Sequence, residues 1–366
     1  MTAHPAERAA ARRHLEALAR APRPAGGKAE SAARAYCADV LTAAGLAVAE
    51  EPFSYSELPG RVATPVLGLI SGALLAVTGH LGWRNEPGSA LALMFGGGVI
   101  LGLAARWVTR SGVLTLPWLR HESSNLVASR GNPSVWLVAH LDSKSQPVAI
   151  LVRALGVIGI LVSASCAAAV AALHIGGSDV RWMWPWITAL GVLSSLPVMA
   201  SVVQSRSPGA LDDASGVSTV LMVAQSLPQQ LALGVVLTSA EELGLAGARA
   251  WVRGRGAVHA INVDGVDDDG TLQLTWTRRR PASLVDLLRK RAEQVGVSVR
   301  VGRLIPGALL DGVALADAGW QVVTVSRGTL RTVSRIHTPR DSLEHLRGDG
   351  IAATASIILA AIAEGA

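Results

Sequence analysis

Residues 233–247, LGVVLTSAEELGLAG, run from a short apolar stretch straight into two adjacent glutamates, Glu241 and Glu242. An apolar run of this length, without polar alternation, reads as a strand buried on both faces, the kind that parallel sheets contain. Two neighbouring carboxylates raise each other's pKa unless a cation sits between or beside them. The plain alternative is a solvated helix start, where glutamate is favoured at the positive end of the macrodipole.

The segments on either side extend the strand reading. Helices are expected over 5–20 and 29–45, then strands at 124–129 (SNLVAS) and 134–140 (SVWLVAH). A helix over 215–226 leads to the strand already quoted, and a helix over 245–252 to a strand at 259–264 (HAINVD). Strands at 272–277, 298–303 and 320–326 follow, with helices at 282–296 and 311–319 between them, and a last helix at 350–363. That last helix is too short in apolar residues to cross a bilayer and is expected to pack on the domain. Apolar strands alternating with helices predict an α/β fold, a mostly parallel mixed sheet flanked by helices.

In open sheets of this class, ligands gather outside the C-terminal ends of the strands. His140 and Asp142 end the run VWLVAHLDS, Asp264 ends AINVD, and Asp212 and Asp213 precede a helix in GALDDASG. His337 lies in SRIHTPRDS, after the last strand. Each has an ordinary reading on its own. A histidine at a strand end is commonly structural, Asp264 and His337 suit turns, and Asp212 and Asp213 suit helix N-caps. Together they converge at one edge of the inferred sheet, and two histidines with several carboxylates suit a pair of zinc ions. Two metals about 3.5–4 Å apart generate hydroxide near neutral pH and polarise a carbonyl.

Composition narrows the setting. A chain of 366 residues is long enough for one large domain or two ordinary ones. Mean hydropathy is +0.38, high for a soluble protein, and the net charge of +6 accompanies a pI near 10.1. The basic residues are dispersed apart from Arg278, Arg279 and Arg280, and aromatics make up 4% of the chain, so we expect no nucleic-acid partner. Cys37 and Cys166 lie in unlike settings, one polar and one apolar, which argues against a disulfide framework and for a reducing compartment. The first twenty residues are charged and amphipathic with no apolar h-region, so a signal peptide is not expected.

Four stretches, 62–83, 87–105, 154–178 and 182–205, contain no Asp, Glu, Lys or Arg. Each has roughly the 20 apolar-dominated residues of a membrane-crossing helix. They are rich in small residues, as close helix packing in lipid tolerates. Trp83, Trp107, Trp182, Trp184 and Trp186 sit near their ends, where indoles favour the interface. Buried helices of a soluble core are the alternative. The expected organisation is two transmembrane hairpins, 62–108 and 148–205, inserted into one discontinuous domain made of 1–61, 109–147 and 206–366. Arg61, Arg106, Arg110, Arg120, Lys144, Arg153 and Arg206 flank the membrane on the domain side, against Arg84 and Arg181 on the other. That imbalance predicts a cytoplasmic domain. The second hairpin leaves shortly after His140 and returns shortly before Asp212, which tethers the site within roughly 35 Å of the bilayer.

The motifs AHLDS, GALDDASGV, SAEELGLAGA, INVDG and IHTPRDS, in this order, resemble the co-catalytic dizinc metallopeptidases, the family of bacterial leucyl aminopeptidases and glutamate carboxypeptidase, with glutaminyl cyclases as relatives. The stretches 27–54 and 309–328 extend the resemblance to both ends of the soluble portion. It implies two zinc ions per chain, one held by His140 and Asp264, the other by Glu242 and His337, with Asp212 bridging. Glu241 would be the general base, and Asp142 would orient His140 through its far nitrogen. A cis peptide is implied between Asp212 and Asp213. The resemblance implies a zinc-dependent aminopeptidase-type exopeptidase that hydrolyses short peptides by metal-bound hydroxide, and the charge-free stretches lead us to expect it as a multi-pass protein of a bacterial inner membrane. Alternatives are a glutaminyl-cyclase-like or other amide hydrolase, and a non-catalytic scaffold or receptor on the same fold. Two departures stand out: the inserted hairpins, and Leu310 before Asp311 where the family pattern has serine.

Overall fold

Eight strands pair into one mixed sheet in the computed structural model, which describes residues 4–305 and 307–365. They are β1 (Ala47–Ser56), β2 (Arg120–Arg130), β3 (Val135–His140), β4 (Leu233–Thr238), β5 (His259–Val266), β6 (Thr271–Trp276), β7 (Val299–Arg303) and β8 (Gln321–Gly328). Their order across the sheet is β1-β2-β4-β3-β5-β8-β6-β7. The central four, β4, β3, β5 and β8, are parallel neighbours. β2 joins β4 and β6 joins β8 antiparallel, so the sheet is mixed at its flanks.

Side chains alternate along each central strand, and both faces are covered. Leu137, Val235 and Leu237 enter the larger cluster, packed with the helices Pro5–Leu18, Gly216–Ser226 and Asp349–Gly365. Val138, Val236 and Ala260 enter the opposite cluster with Trp251 and Trp320. Burial on both faces is why these strands read as continuous apolar runs. Trp136 and Trp251 meet edge to face at 5.0 Å, and Trp136 also lies over Gly234, where a Cβ would overlap its ring. The final helix, Asp349–Gly365, buries Ile351, Ile357 and Ile358 in the larger cluster. The carboxylate of Asp268 caps its start, accepting from the Gly348 and Gly350 N–H groups at 3.1 and 2.9 Å.

The chain divides into two compact units, each described here by itself. The sheet unit comprises Met1–Ser56, Leu116–Ser145 and Ser205–Ala366. The helical unit comprises Glu57–Thr115 and Gln146–Gln204. Among the described residues, three helices of the second unit are long and apolar enough to cross a membrane: Leu58–Trp83, Pro87–Thr115 and Ile150–Ile175. The sequence led us to expect four. The fourth charge-free stretch yields a helix of 16 residues, Trp184–Met199, opened by a 3-10 turn at Arg181–Met183 and carrying Pro197 near its end. At 1.5 Å per residue it is about 24 Å long, short of the roughly 30 Å of a hydrocarbon core.

Close packing explains the small residues of this unit. Gly68, Gly72, Gly79 and Gly82 on Leu58–Trp83 face Val198–Met199, Ser195, Thr188 and Trp184, and a side chain at any of them would overlap its neighbour. Trp184 therefore differs from the expected interfacial indole. Its ring is fully buried against Gly82, whereas Trp182 and Trp186 are exposed.

Candidate metal centre

The register of β3 on β4 pairs His140 with Thr238, and the chain beyond each strand end then meets the other. The Leu141 N–H donates to the Thr238 carbonyl at 2.8 Å. This contact brings Asp142 under the turn that carries the two glutamates. Its carboxylate accepts the Glu241 N–H at 3.1 Å and the Glu242 N–H at 3.2 Å. Ala240, just before them, is left-handed at φ 55°, a conformation that costs an alanine energy and aims both glutamates into the site. Both are buried, at 5% and 7% exposure, which excludes the solvated helix start.

Asp212 sits between the two histidines. His140 Nε2 lies 3.1 Å from Asp212 Oδ1, and His337 Nε2 lies 3.0 Å from Asp212 Oδ2. His337 Nε2 is also 3.2 Å from Glu242 Oε1. Two groups of ligand atoms result: His140, Glu241 and Asp264, and Asp212, Glu242 and His337, each with its atoms within 4.8 Å of one another. The peptide between Asp212 and Asp213 is cis, as the resemblance implies. Asp213 points the other way. Its carboxylate accepts N–H groups from His140, Gly216 and Gly265 at 3.2, 2.9 and 3.1 Å, which ties the first residue of the helix Gly216–Ser226 to β3 and β5. Glycine at 216 leaves room for that carboxylate. Asp341 supports the same turn, accepting from the Leu211 and Asp212 N–H groups at 2.6 and 3.1 Å.

The charges are arranged unevenly. Burial alone would raise Asp212, but its hydrogen bonds to His140 and His337 outweigh it and hold the carboxyl well below the usual range. Glu242 is likewise buried, yet the charges of His337 and Lys144 bring it down to about 2. Glu241 goes the other way: burial raises it well above the usual glutamate value, and Glu242, Asp311 and Asp264 add to the rise. Burial also pushes Asp264 up to about 7.

The residue set suits a divalent cation. Glu242 Oε1 is buried and makes no well-formed hydrogen bond, and the nitrogen 3.2 Å from it, His337 Nε2, is itself a candidate ligand atom, as expected of two groups that could share an ion. Two imidazoles and the carboxylates of Asp212, Glu242 and Asp264 form a donor set that zinc accepts, with the Glu241 carboxylate beside them.

His140, Asp212, Glu241, Glu242, Asp264 and His337 are thus brought together, and Asp142 joins them with a different contact from the one expected. His140 Nδ1 lies 3.0 Å from the backbone oxygen of Asp142 and 3.6 Å from its carboxylate. The carboxylate is committed to the two glutamate amides, so the main chain is what fixes the imidazole. Lys144 also needs correcting. Read as a membrane-flanking charge, it instead lies in the site, its Nζ 2.6 Å from Glu242 Oε2. Its nearness to HLDS was the available signal. Asp213 and Asp341 were legible as members of the quoted motifs, but their contacts to backbone amides were not.

Residues 195–362 match peptidase family M28. No curated protein matches the chain. Solved structures share its fold at low identity. An aminopeptidase from Aneurinibacillus sp. strain AM-1 is 15% identical with a TM-score of 0.58, over 98% of this chain and 93% of that one. A zinc aminopeptidase from Bacillus subtilis is 16% identical with a TM-score of 0.57, over 98% and 95%. A glutaminyl cyclase from Porphyromonas gingivalis is 14% identical with a TM-score of 0.57, over 98% of both chains.

Proposed function

We propose, on the match of residues 195–362 to peptidase family M28 and the geometry of the site, that this chain is a membrane-anchored aminopeptidase acting on short peptides through a two-zinc centre. The observation that carries the reading is Asp212, whose two carboxylate oxygens each face the Nε2 of a different histidine. A carboxylate so placed is suited to bridge two ions, with His140 and Asp264 on one side and Glu242 and His337 on the other. Zinc, when bound, supplies Lewis acidity toward the scissile carbonyl and makes water nucleophilic near neutral pH.

The chain's own residues then handle the proton. Glu241 is buried, and burial raises its pKa, which makes the carboxylate a stronger proton acceptor than an exposed glutamate. It takes the proton of the attacking water and delivers it to the leaving amine. Asp142 holds the Glu241 and Glu242 amides, so base and neighbouring ligand move as one turn. Lys144 engages Glu242 Oε2 and leaves Oε1 toward His337 and the ligand space. All positions that ligate or act as base are filled, which favours an enzyme over a scaffold. The three long apolar helices support anchoring. The chain returns to the sheet unit after each helical excursion, and the second excursion ends with the shorter helix Trp184–Met199.

The test uses the full chain purified in detergent and loaded with zinc. Peptides with free N-termini should release their first amino acid, the N-blocked versions should not, and a chelator should abolish release. Cleavage of blocked peptides at internal bonds, or cyclisation of an N-terminal glutaminyl peptide without release of amino acids, would replace the aminopeptidase reading.

A further inference from the structure

The segment APRPAGG, residues 21–27, lies outside every motif above, yet it places a cation behind the metal centre. Arg23 is 1% exposed. Its Nε donates to the Leu141 carbonyl at 2.7 Å, Nη1 to Leu18 at 2.7 Å and Pro208 at 2.6 Å, and Nη2 to Gly209 at 3.0 Å. Its main chain closes the same clamp. The Arg23 N–H donates to Ser143 Oγ at 2.9 Å, and the Ser143 N–H donates back to the Arg23 carbonyl at 2.8 Å. Ser143 Oγ in turn donates to the Ser207 carbonyl at 3.0 Å.

These bonds join two particular loops. Residues 141–143 follow His140 directly, and residues 207–209 lead into Asp212. A guanidinium has five N–H donors in a fixed planar fork, so one side chain can hold both loops at a set spacing. A lysine ammonium radiates from one point and cannot replace that span. Gly209 has φ 62°, and a Cβ there would lie 2.5 Å from both Ser143 Cβ and the Asp212 carbonyl, so the loops approach as closely as side chains allow. The charge of Arg23 also acts on Asp341, Asp213 and Asp142. Each of these carboxylates accepts backbone N–H groups from the ligand-bearing turns.

We infer that Arg23 is the positioning residue of the metal centre: its fork fixes the spacing between the loop of His140 and the turn of Asp212, on which metal retention depends. The inference rests on the metal-centre reading given under the proposed function. Arg23→Lys keeps the charge and loses the fork, and Ser143→Ala releases the same clamp more gently. Zinc loss to a chelator, the visible absorption of the cobalt-substituted protein and the unfolding midpoint of the metal-free protein are measured for the full chain in detergent. Loss of zinc about tenfold faster in Arg23→Lys, with a shifted cobalt spectrum, is the expected result, along with a lower midpoint because buried carbonyls lose their donors. If Arg23→Lys fails to fold, Ser143→Ala should show faster zinc loss and a shifted spectrum on its own. Variants that lose zinc at the wild-type rate with unchanged cobalt spectra, whatever their midpoints, would reduce Arg23 to a structural residue and overturn the inference. A wild-type chain that takes up no zinc would instead overturn the metal-centre reading beneath it.

Discussion

Glu241 and Glu242 are neighbours in sequence with opposite electrostatic fates, one raised by burial and the other held near 2 by His337 and Lys144. Their substitutions should therefore separate. Glu241→Gln removes a proton acceptor and should lower kcat by about a hundredfold or more, with metal content unchanged by elemental analysis. Glu242→Ala and His337→Ala remove ligands and should lower metal content as well as rate. Near wild-type turnover in Glu241→Gln would sink the assignment of the base. Glu30 offers a test by pH. It is fully buried, accepts from the Gly26 N–H at 2.7 Å, and burial together with the charge of Asp142 pushes it up to about 7. An acid with a raised folded pKa contributes stability that is present below its unfolded value of 4.5 and lost as pH climbs through 7. Glu30→Gln stays neutral, so its unfolding free energy should lack that decline, worth up to about 3 kcal/mol. Parallel stability profiles of wild type and Glu30→Gln between pH 4.5 and 8 would contradict it.

At the scale of the element, β4 carries the site because it is buried along its whole length and paired with β3. Gly234 is the pinch point, since the Trp136 ring occupies the space of a Cβ. Gly234→Ala should destabilise the chain by about 1–3 kcal/mol, the usual cost of overpacking a filled core. A reduced thermal midpoint with full metal content at low temperature is expected. An unchanged midpoint would mean that Trp136 yields without cost. The turn after β4 behaves differently from the strand. Ala240 and Leu245, both left-handed, bracket the glutamates, and Asp142 from the neighbouring loop holds their amides.

At the scale of the molecule, the proposal is a peptidase unit interrupted twice by apolar helices. The proposal puts the sheet unit in the cytoplasm, on the strength of the arginines near the ends of these helices, although Lys144 no longer counts among the flanking charges. A reporter fused at the C-terminus should be active in its cytoplasmic form and silent in its exported form. The reverse pattern would invert the orientation. The chain should also remain with membranes through a carbonate wash, and its release by that wash would refute the anchor.

What the sequence determined by itself was local and periodic. Continuous apolar runs marked the parallel strands, because burial on both faces leaves no position for a polar residue. Charge-free lengths marked the apolar helices, because hydrocarbon tolerates few charges. The ligand types stood out because most followed a strand while Asp212 stood just before a helix, and the order of motifs carried the resemblance. Tertiary structure decided everything that depends on which group reaches which partner. Asp142 was legible as a neighbour of His140, but the β3–β4 register gives its carboxylate to two amides nearly a hundred residues away. Lys144 looked like a membrane flank until folding set it on Glu242. Arg23 had no motif at all, since its role consists of four carbonyls from three separate segments. The fourth apolar stretch shows the same division: composition made it charge-free throughout, while the 3-10 turn and the end of the helix at Met199 set its length. Composition is a property of the chain, but hydrogen-bond partners and helix ends are settled by packing in three dimensions.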